Sequence, residues 1–383
     1  MGLEGLKTFK DLEFAGKRVL IRVDFNVPLE GGKVRDSSRI AAAVPTIKAV
    51  LGFDAKQVIL ISHLGRPKGR DASASLKPVA EELSHLVAEP VVLADDFDKV
   101  PADARLVLLE NIRFWKEEET NDDAFSKRIA GLCDVFVNDA FGTAHRAHAS
   151  TVGVTKHVSE KGVGLLVQKE VESLDFSHPR RPFVALIGAA KISDKIRMLE
   201  TLLEKVDKLL LGGGIVFTFL KARGFEVGSS LCEEGSLPIA KRLLEAYPGK
   251  IVLPDDIVIS DDEHGREIFT VDADKIPPDM KGLDIGDAAV ERYLEVLDGA
   301  ATVFWNGPMG LFEVPPFDTA TNEIAHHLAK SKSKVVVGGG DTGEVVNSLG
   351  LTRYFAHVST GGGAALQLVA GETLVAIEAL REK

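Results

Sequence analysis

Short apolar runs that keep ending at glycine, proline or polar loops constrain this chain more than any other feature. They are Arg18–Val23, Gln57–Ser62, Arg105–Leu109, Phe183–Ile187, Lys208–Leu211, Thr302–Trp305 and Lys334–Val337. A strand covered on both faces is apolar along its length instead of alternating, as in a parallel sheet sandwiched by helices. Helical spacing fills the intervals. Ser38–Leu51 follows two capping candidates, Asp36 and Ser37, and Ser193–Val206 carries Ile196, Leu199, Leu202 and Leu203 on one face. Strand and helix alternate, which predicts the α/β class.

At 383 residues, 45% of them hydrophobic, the chain is too long for one core and apolar enough for two. No Gly/Ser or proline tether separates them. The best connector is the helix-like stretch Gly162–Asp175, followed by the polar SHPRRP, and it places the division at 165/166. The expectation is two Rossmann-like domains, each a parallel sheet flanked by helices, joined by a helical hinge.

Composition narrows the function. Cys133 and Cys232 lie far apart with no metal or redox spacing, as in the reduced core of an intracellular protein. No apolar run approaches the roughly 20 residues that span a bilayer, and the first residues lack a signal-peptide pattern, so a cytoplasmic protein without a membrane partner is expected. A net charge of -11 argues against nucleic acid. The charge is unevenly spread: residues 1–170 hold 24 Lys+Arg and 25 Asp+Glu, leaving nearly all the excess in the remainder.

In the first half, cations cluster after predicted strands, in Asp24–Pro28, Ser62–Pro67, Glu110–Phe114 and Ala140–His148, with Arg39 on the helix that follows. Ligands of open α/β sheets sit outside the carboxyl ends of the strands, so these loops can converge. Arginine's planar fork grips carboxylate or phosphate in two places and stays charged. Arg39, Arg66, Arg113 and Arg146, with His63, His145 and His148, therefore describe a pocket for a small, multiply anionic molecule. Taken singly, each arginine reads equally well as a solvated surface charge, and each histidine as a satisfied core residue.

In the second half the loops become glycine-rich: Gly188–Lys191, Gly212–Gly214, Asn306–Gly310, Gly338–Thr342 and Thr360–Gly363. Glycine lets backbone approach phosphates, and a helix starting there offers free N–H groups. Gly338–Gly343 matches G-x-G-x-x-G, but the acidic residue expected about 20 positions on is absent, which weakens a dehydrogenase reading. No G-x-x-x-x-G-K-[ST] occurs, so a P-loop is excluded. Asp341 is available as a hard oxygen ligand for Mg²⁺.

Together the motifs RVDFNVP, SHLGRP, LLENIRF, NDAFGTAHRAHAS, KISDKI, VFWNGPMGLFE, VVGGGDT and HVSTGGGA resemble the phosphoglycerate kinase family over essentially the whole chain. The resemblance implies reversible phosphoryl transfer between 1,3-bisphosphoglycerate and ADP, giving 3-phosphoglycerate and ATP, in glycolysis and gluconeogenesis. It implies a monomer with a phosphoglycerate domain at 1–165, a nucleotide domain at 166–370 and a tail at 371–383 packing back on the first domain. Matched motif by motif, Asp24, Asn26, Arg39, His63, Leu64, Gly65, Arg66, Arg113 and Arg146 look like phosphoglycerate contacts. Gly188, Lys195, Gly212, Asn306, Pro308, Glu313, Gly339, Gly340, Asp341 and Thr342 look like the Mg-nucleotide site, with Glu313 on the ribose. Arg39, Lys191, Lys195, Gly361 and Gly362 look like the groups that accompany the moving phosphoryl. The chain departs from the family's usual pattern at Ala189, Ile215-Val216, Gly343-Glu344 and Val375-Ala376.

Overall fold

The computed structural model describes residues 2–264 and 267–381. Residues 1, 265, 266, 382 and 383 lie outside it, the last two being the end of the expected tail. The chain divides into two compact units, one running to Glu172 and resuming at Thr373, the other spanning Ser173–Glu372. The division thus falls within the predicted connector stretch, at 172/173 instead of 165/166.

In chain order the first unit holds β1 (Arg18–Arg22), a hairpin of β2 (Leu29–Glu30) and β3 (Lys33–Val34), α1 (Ser38–Gly52), β4 (Gln57–Ile61), α2 (Lys77–Val87), β5 (Val92–Ala94), β6 (Leu106–Leu109), α3 (Asp123–Ala130), β7 (Val135–Asn138) and β8 (Glu160–Val163). α4 (Leu165–Leu174) carries the chain across the division. Six strands form one sheet in the order β5-β6-β4-β1-β7-β8, all neighbours parallel. Its central strands are fully apolar between their ends, and α1 and α2 lay Ile40, Ile47, Val79 and Leu83 against one face. Arg22 pairs in register with Ile61 and with Asn138. The loops after β1, β4 and β7 therefore leave from one edge.

The second unit continues with β9 (Phe183–Gly188), α5 (Ile196–Lys205), β10 (Lys208–Gly212), α6 (Ile215–Ala222), α7 (Leu237–Ala246), β11 (Ile251–Val252), β12 (Asp256–Ser260), β13 (Ile268–Asp272), β14 (Lys281–Ile285), α8 (Asp287–Asp298), β15 (Thr302–Asn306), α9 (Thr319–Lys330), β16 (Lys334–Gly338), α10 (Gly340–Ser348), β17 (His357–Val358) and α11 (Gly363–Val369). Its parallel sheet has the order β11-β10-β9-β15-β16-β17. Trp305 and Tyr293 fill the core beside it, and the Tyr293 hydroxyl donates to the Leu211 carbonyl at 2.6 Å. An antiparallel sheet of β13, β12 and β14 is added, which the apolar runs did not predict. β13 leaves Ile268 and Phe269 exposed, so its sequence lacks the buried-strand signature.

The last helix, α12 (Val375–Glu378), belongs to the first unit, where the Ala376 N–H donates to the Ala144 carbonyl at 3.0 Å. The Val375-Ala376 departure leaves that bond in place. Both cysteines are free, Cys133 buried and Cys232 half-buried. Among the described residues no helix is long and apolar enough to cross a membrane.

Asp139, at the end of β7, is fully buried and accepts from the Leu166 N–H (2.9 Å) and Val167 N–H (3.3 Å) in the first turn of α4. Burial pushes its carboxyl up to about 6, against hydrogen bonds that pull it down. Below its ordinary value the acid is protonated folded and unfolded alike; as pH rises through about 6, ionisation costs the folded state. Asp139→Asn, neutral throughout, should gain on the native protein by up to about 3 kcal/mol between pH 4 and 7.5 in urea unfolding. A gap that does not change with pH would show that burial does not control this carboxyl.

Candidate functional site

In the first unit, strand ends become a cationic face. β1 runs on to Asp24, whose Oδ2 accepts from Arg39 Nη1 at 2.8 Å and whose Oδ1 accepts from the Asn26 N–H at 3.2 Å. Asn26 Oδ1 in turn accepts from the Gly65 N–H at 2.8 Å, tying the loop after β1 to the loop after β4. Asn111, after β6, completes the tie: it accepts from Leu64 N–H (3.2 Å) and Arg113 N–H (3.1 Å) and donates to the Leu64 carbonyl (2.7 Å). Arg113 Nη1 donates to the Gly65 carbonyl at 2.5 Å, and Arg146 Nε donates to His145 Nε2 at 3.2 Å. Arg66 is exposed on the same loop as Gly65. Gly142 must be small, because a Cβ there would stand 2.5 Å from Asp24 Oδ2.

Behind this face lies a layer built by Arg22 and Ser150, which the motifs contain, and by Glu118, which they do not. Arg22, only 1% exposed, donates from Nε to Ser150 Oγ at 2.9 Å and from Nη1 to the Val23 carbonyl. Ser150 donates its hydroxyl to Glu118 Oε1 (2.6 Å) and its N–H to Glu118 Oε2 (2.8 Å). Glu118 is itself fully buried. An arginine at the end of an otherwise apolar strand run is a signal for Arg22; Glu118, inside the run Glu117-Glu118-Glu119, carries none.

Burial, reinforced by Arg22, Arg113, Arg146 and Arg39, holds the His63 ring well below the usual imidazole range. Burial beside Arg113 and Arg22 likewise lowers His148 to about 4. Both are uncharged at neutral pH, so the positive charge of this face is carried by its arginines. Burial raises the Glu118 carboxyl while the Arg22 charge and the Ser150 bonds oppose it.

The second unit encloses a cavity of about 770 Å³ at the carboxyl ends of its strands. Gly188, Lys195, Asn306, Pro308, Glu313, Gly339, Gly340, Asp341, Thr342 and Gly362 all line it. Lys195 does not sit on an exposed helix face: α5 begins at Ile196, later than the predicted Ser193, and the lysine precedes it. Its Nζ donates to Asn306 Oδ1 at 2.5 Å, and burial lowers its ammonium while Asp341 and Asp194 support the charge. Thr342 Oγ1 accepts from the Gly307 N–H at 2.6 Å, joining the loop after β15 to the first turn of α10. The close approach of Gly188 and Gly307 leaves no room for a Cβ on either, and Gly307 has a φ of +94°.

Three expected residues stand apart from the cavity wall. Gly212 packs under Met309, Lys191 is exposed beyond the wall, and Gly361 is buried with its N–H donated to Ser359 Oγ at 3.1 Å. A buried carboxyl on the wall, Asp284, was not anticipated. It accepts from the Ile285 N–H (2.9 Å) and Ala320 N–H (3.1 Å), and burial pushes it up to about 8, so it is protonated at neutral pH.

A family model described as phosphoglycerate kinase matches residues 9–372. A phosphoglycerate kinase of Anaeromyxobacter dehalogenans is 49% identical, over 98% of this chain and all of its own length. One from Thermosynechococcus vestitus is 48% identical, over 97% of this chain and 96% of its own. Among solved structures, phosphoglycerate kinase from Coxiella burnetii matches with a TM-score of 0.91 at 38% identity, covering 98% of both chains. That from Pyrococcus horikoshii matches at 0.84 and 30% identity, over 97% of this chain and 98% of its own. The chain belongs to the phosphoglycerate kinase family, and its reaction is phosphoryl transfer between 1,3-bisphosphoglycerate and ADP, a step of glycolysis.

Proposed function

We propose that the arginine face of the first unit holds 3-phosphoglycerate or 1,3-bisphosphoglycerate, and that the glycine-lined cavity of the second holds Mg-ATP or Mg-ADP. The observation that carries this is the contrast between the two sites: forked cations gathered beside strand ends, against glycine-rich loops that line a cavity up to the start of α10. A helix start draws phosphate oxygens by its free N–H groups and dipole.

The nucleophile toward ATP is a carboxylate, ionised at neutral pH because carboxyl groups titrate near 4, so the site needs no general base. What remains is alignment in line and neutralisation of the transferring oxygens. Arg39, 37% exposed at its side chain and steadied by Asp24, supplies a fork from the first unit. Lys195 supplies a charge from the second, with Lys191 entering from beyond the wall. The N–H groups of Gly362 and Gly363 are assigned the anionic oxygens, since that of Gly361 already serves Ser359.

Mg²⁺ fits the chemistry of the donor set. Asp341 is an exposed carboxylate on the cavity wall, and among the described residues no group of three or more His, Cys, Asp or Glu could cage an ion unaided. One carboxylate completed by nucleotide phosphates is the usual Mg²⁺ arrangement, and the ion would supply charge neutralisation on those oxygens. On this reading the enzyme is a cytoplasmic monomer that closes about a hinge near Gly162–Asp175 and the C-terminal tail.

A coupled assay following ATP-dependent formation of the acyl phosphate from 3-phosphoglycerate tests the reading; nucleotide binding without turnover would reject it. Arg39→Lys should lose at least about tenfold in turnover, roughly 1.4 kcal/mol in the barrier, because a point charge cannot replace the fork. Full activity in that variant would leave only a diffuse charge at the position. Asp341→Asn should keep the fold yet need more Mg²⁺ for half-maximal rate; an unchanged Mg²⁺ titration removes Asp341 from the metal. In-line transfer requires the reacting atoms to come within about 3–3.5 Å, and a closed form is favoured most when both ligands are present. Small-angle scattering should therefore give the smallest radius of gyration with 3-phosphoglycerate and a non-hydrolysable Mg-nucleotide together. Equal radii in all four ligand states, with normal turnover, would refute closure.

A further inference from the structure

His63 is 3% exposed and ends the loop-facing edge of β4, with its Nδ1 3.4 Å from Arg22 Nη2 and 3.8 Å from Asp24 Oδ1. A guanidinium nitrogen has only protons to offer, so the Nδ1 that faces it accepts, and the ring proton of a neutral imidazole then belongs on Nε2. Among the described residues Asp24 is the carboxylate paired with Nδ1, and it lies beyond hydrogen-bond distance and is already engaged by Arg39 and Asn26. The other charged groups acting on the ring are Arg113, Arg146 and Arg39, all cations that oppose a second proton.

What aims Arg22 at the ring is fixed from behind. Its Nε is taken by Ser150 Oγ, and Ser150 is itself clamped by both oxygens of the buried Glu118. With Nε and Nη1 committed, Nη2 is the nitrogen turned to His63. We propose that Glu118, acting through Ser150 and Arg22, is a positioning residue that sets His63 in the tautomer carrying its proton on Nε2, so that the ring meets the anionic substrate as an N–H donor. The donor role rests on the reading that this face holds phosphoglycerate; the tautomer does not.

The test uses the full-length enzyme with ¹⁵N-labelled histidine. Long-range ¹H–¹⁵N spectra separate the two neutral tautomers and the imidazolium, and the His63 signals are assigned by their loss in His63→Gln. The ligand-free native enzyme at pH 7 should show the Nε2–H form, unchanged on acidification to about pH 5, well below an ordinary histidine's titration. Ser150→Ala removes only the bridging hydroxyl; it should give mixed tautomers and raise KM for 3-phosphoglycerate about tenfold, the loss of one oriented hydrogen bond to a charged group, while KM for Mg-ATP stays as it was. Glu118→Gln should shift the tautomer in the same direction, and if it fails to fold, Ser150→Ala alone decides. An Nδ1–H or imidazolium form in the native enzyme overturns the proposal, as does a native tautomer pattern in Ser150→Ala. If saturating 3-phosphoglycerate leaves every His63 signal unmoved, the substrate reading and the donor role fall together, separately from the tautomer.

Discussion

A guanidinium buried in a protein interior is tolerated only when its charge and all its directions are answered, and Arg22 is the point on which the first unit turns. Removing one ion of a buried pair costs about 3–5 kcal/mol, because the charge left behind has no water to answer it. Here the partner is Glu118, and Ser150 stands between them as a hydrogen-bonded bridge. The arrangement organises more than the pair. Glu118 is also the carboxylate 3.8 Å from His148, whose carbonyl receives the N–H groups of Thr151, Val152 and Gly153. The loop that carries Arg146 is thereby anchored to the same buried charge as the strand that carries Arg22.

On the proposed assignment, the second unit meets its anion largely with glycine-rich backbone. Glycine loops form much of its wall, and two of the side chains there hold loops together: Thr342 joins the loop after β15 to α10, and Lys195 joins the approach to α5 to Asn306. Asp284 belongs to the same economy. As a protonated acid it ties β14 to the start of α9 and packs against Gly310 without adding a negative charge to the cavity wall. An ionised carboxylate in that place would repel the nucleotide that we assign to this cavity.

Much of this was legible in the sequence because it rests on patterns that survive without coordinates. The apolar runs at Phe183–Ile187 and Lys334–Val337 became β9 and β16 with one added residue at each end-loop, since a glycine continues a parallel ladder as readily as it ends one. The loops bearing Asp24, His63 and Arg113 came together as strand ends of a parallel sheet must. β12, β13 and β14 escaped because a sheet with one face in solvent interrupts its apolar residues. Glu118 and Ser150 escaped for a different reason. Nothing local distinguishes the middle glutamate of three, and its role exists only through Ser150, which links it to residue 22, far off in the chain.

On the proposed assignment, net charge is a poor guide to where anions bind. The chain is at -11 overall and the first 170 residues are close to neutral, yet the cations there are not free to act as a sum. Arg18 is matched with Asp134 and Arg105 with Glu89 on the surface, where such pairs contribute little. Arg39 and Arg146 are half-buried and Arg113 is buried, with neutral histidines among them, in surroundings that screen less than water does. Local placement therefore governs the field at this face. In the second unit, which carries nearly all of the excess negative charge, the proposed assignment gives the same work to helix-start N–H groups and a divalent cation. A short carboxylate substrate, with an anion at each end, needs forks set at fixed points; a polyphosphate chain needs a surface that follows it, and glycine-rich backbone at the start of a helix provides one.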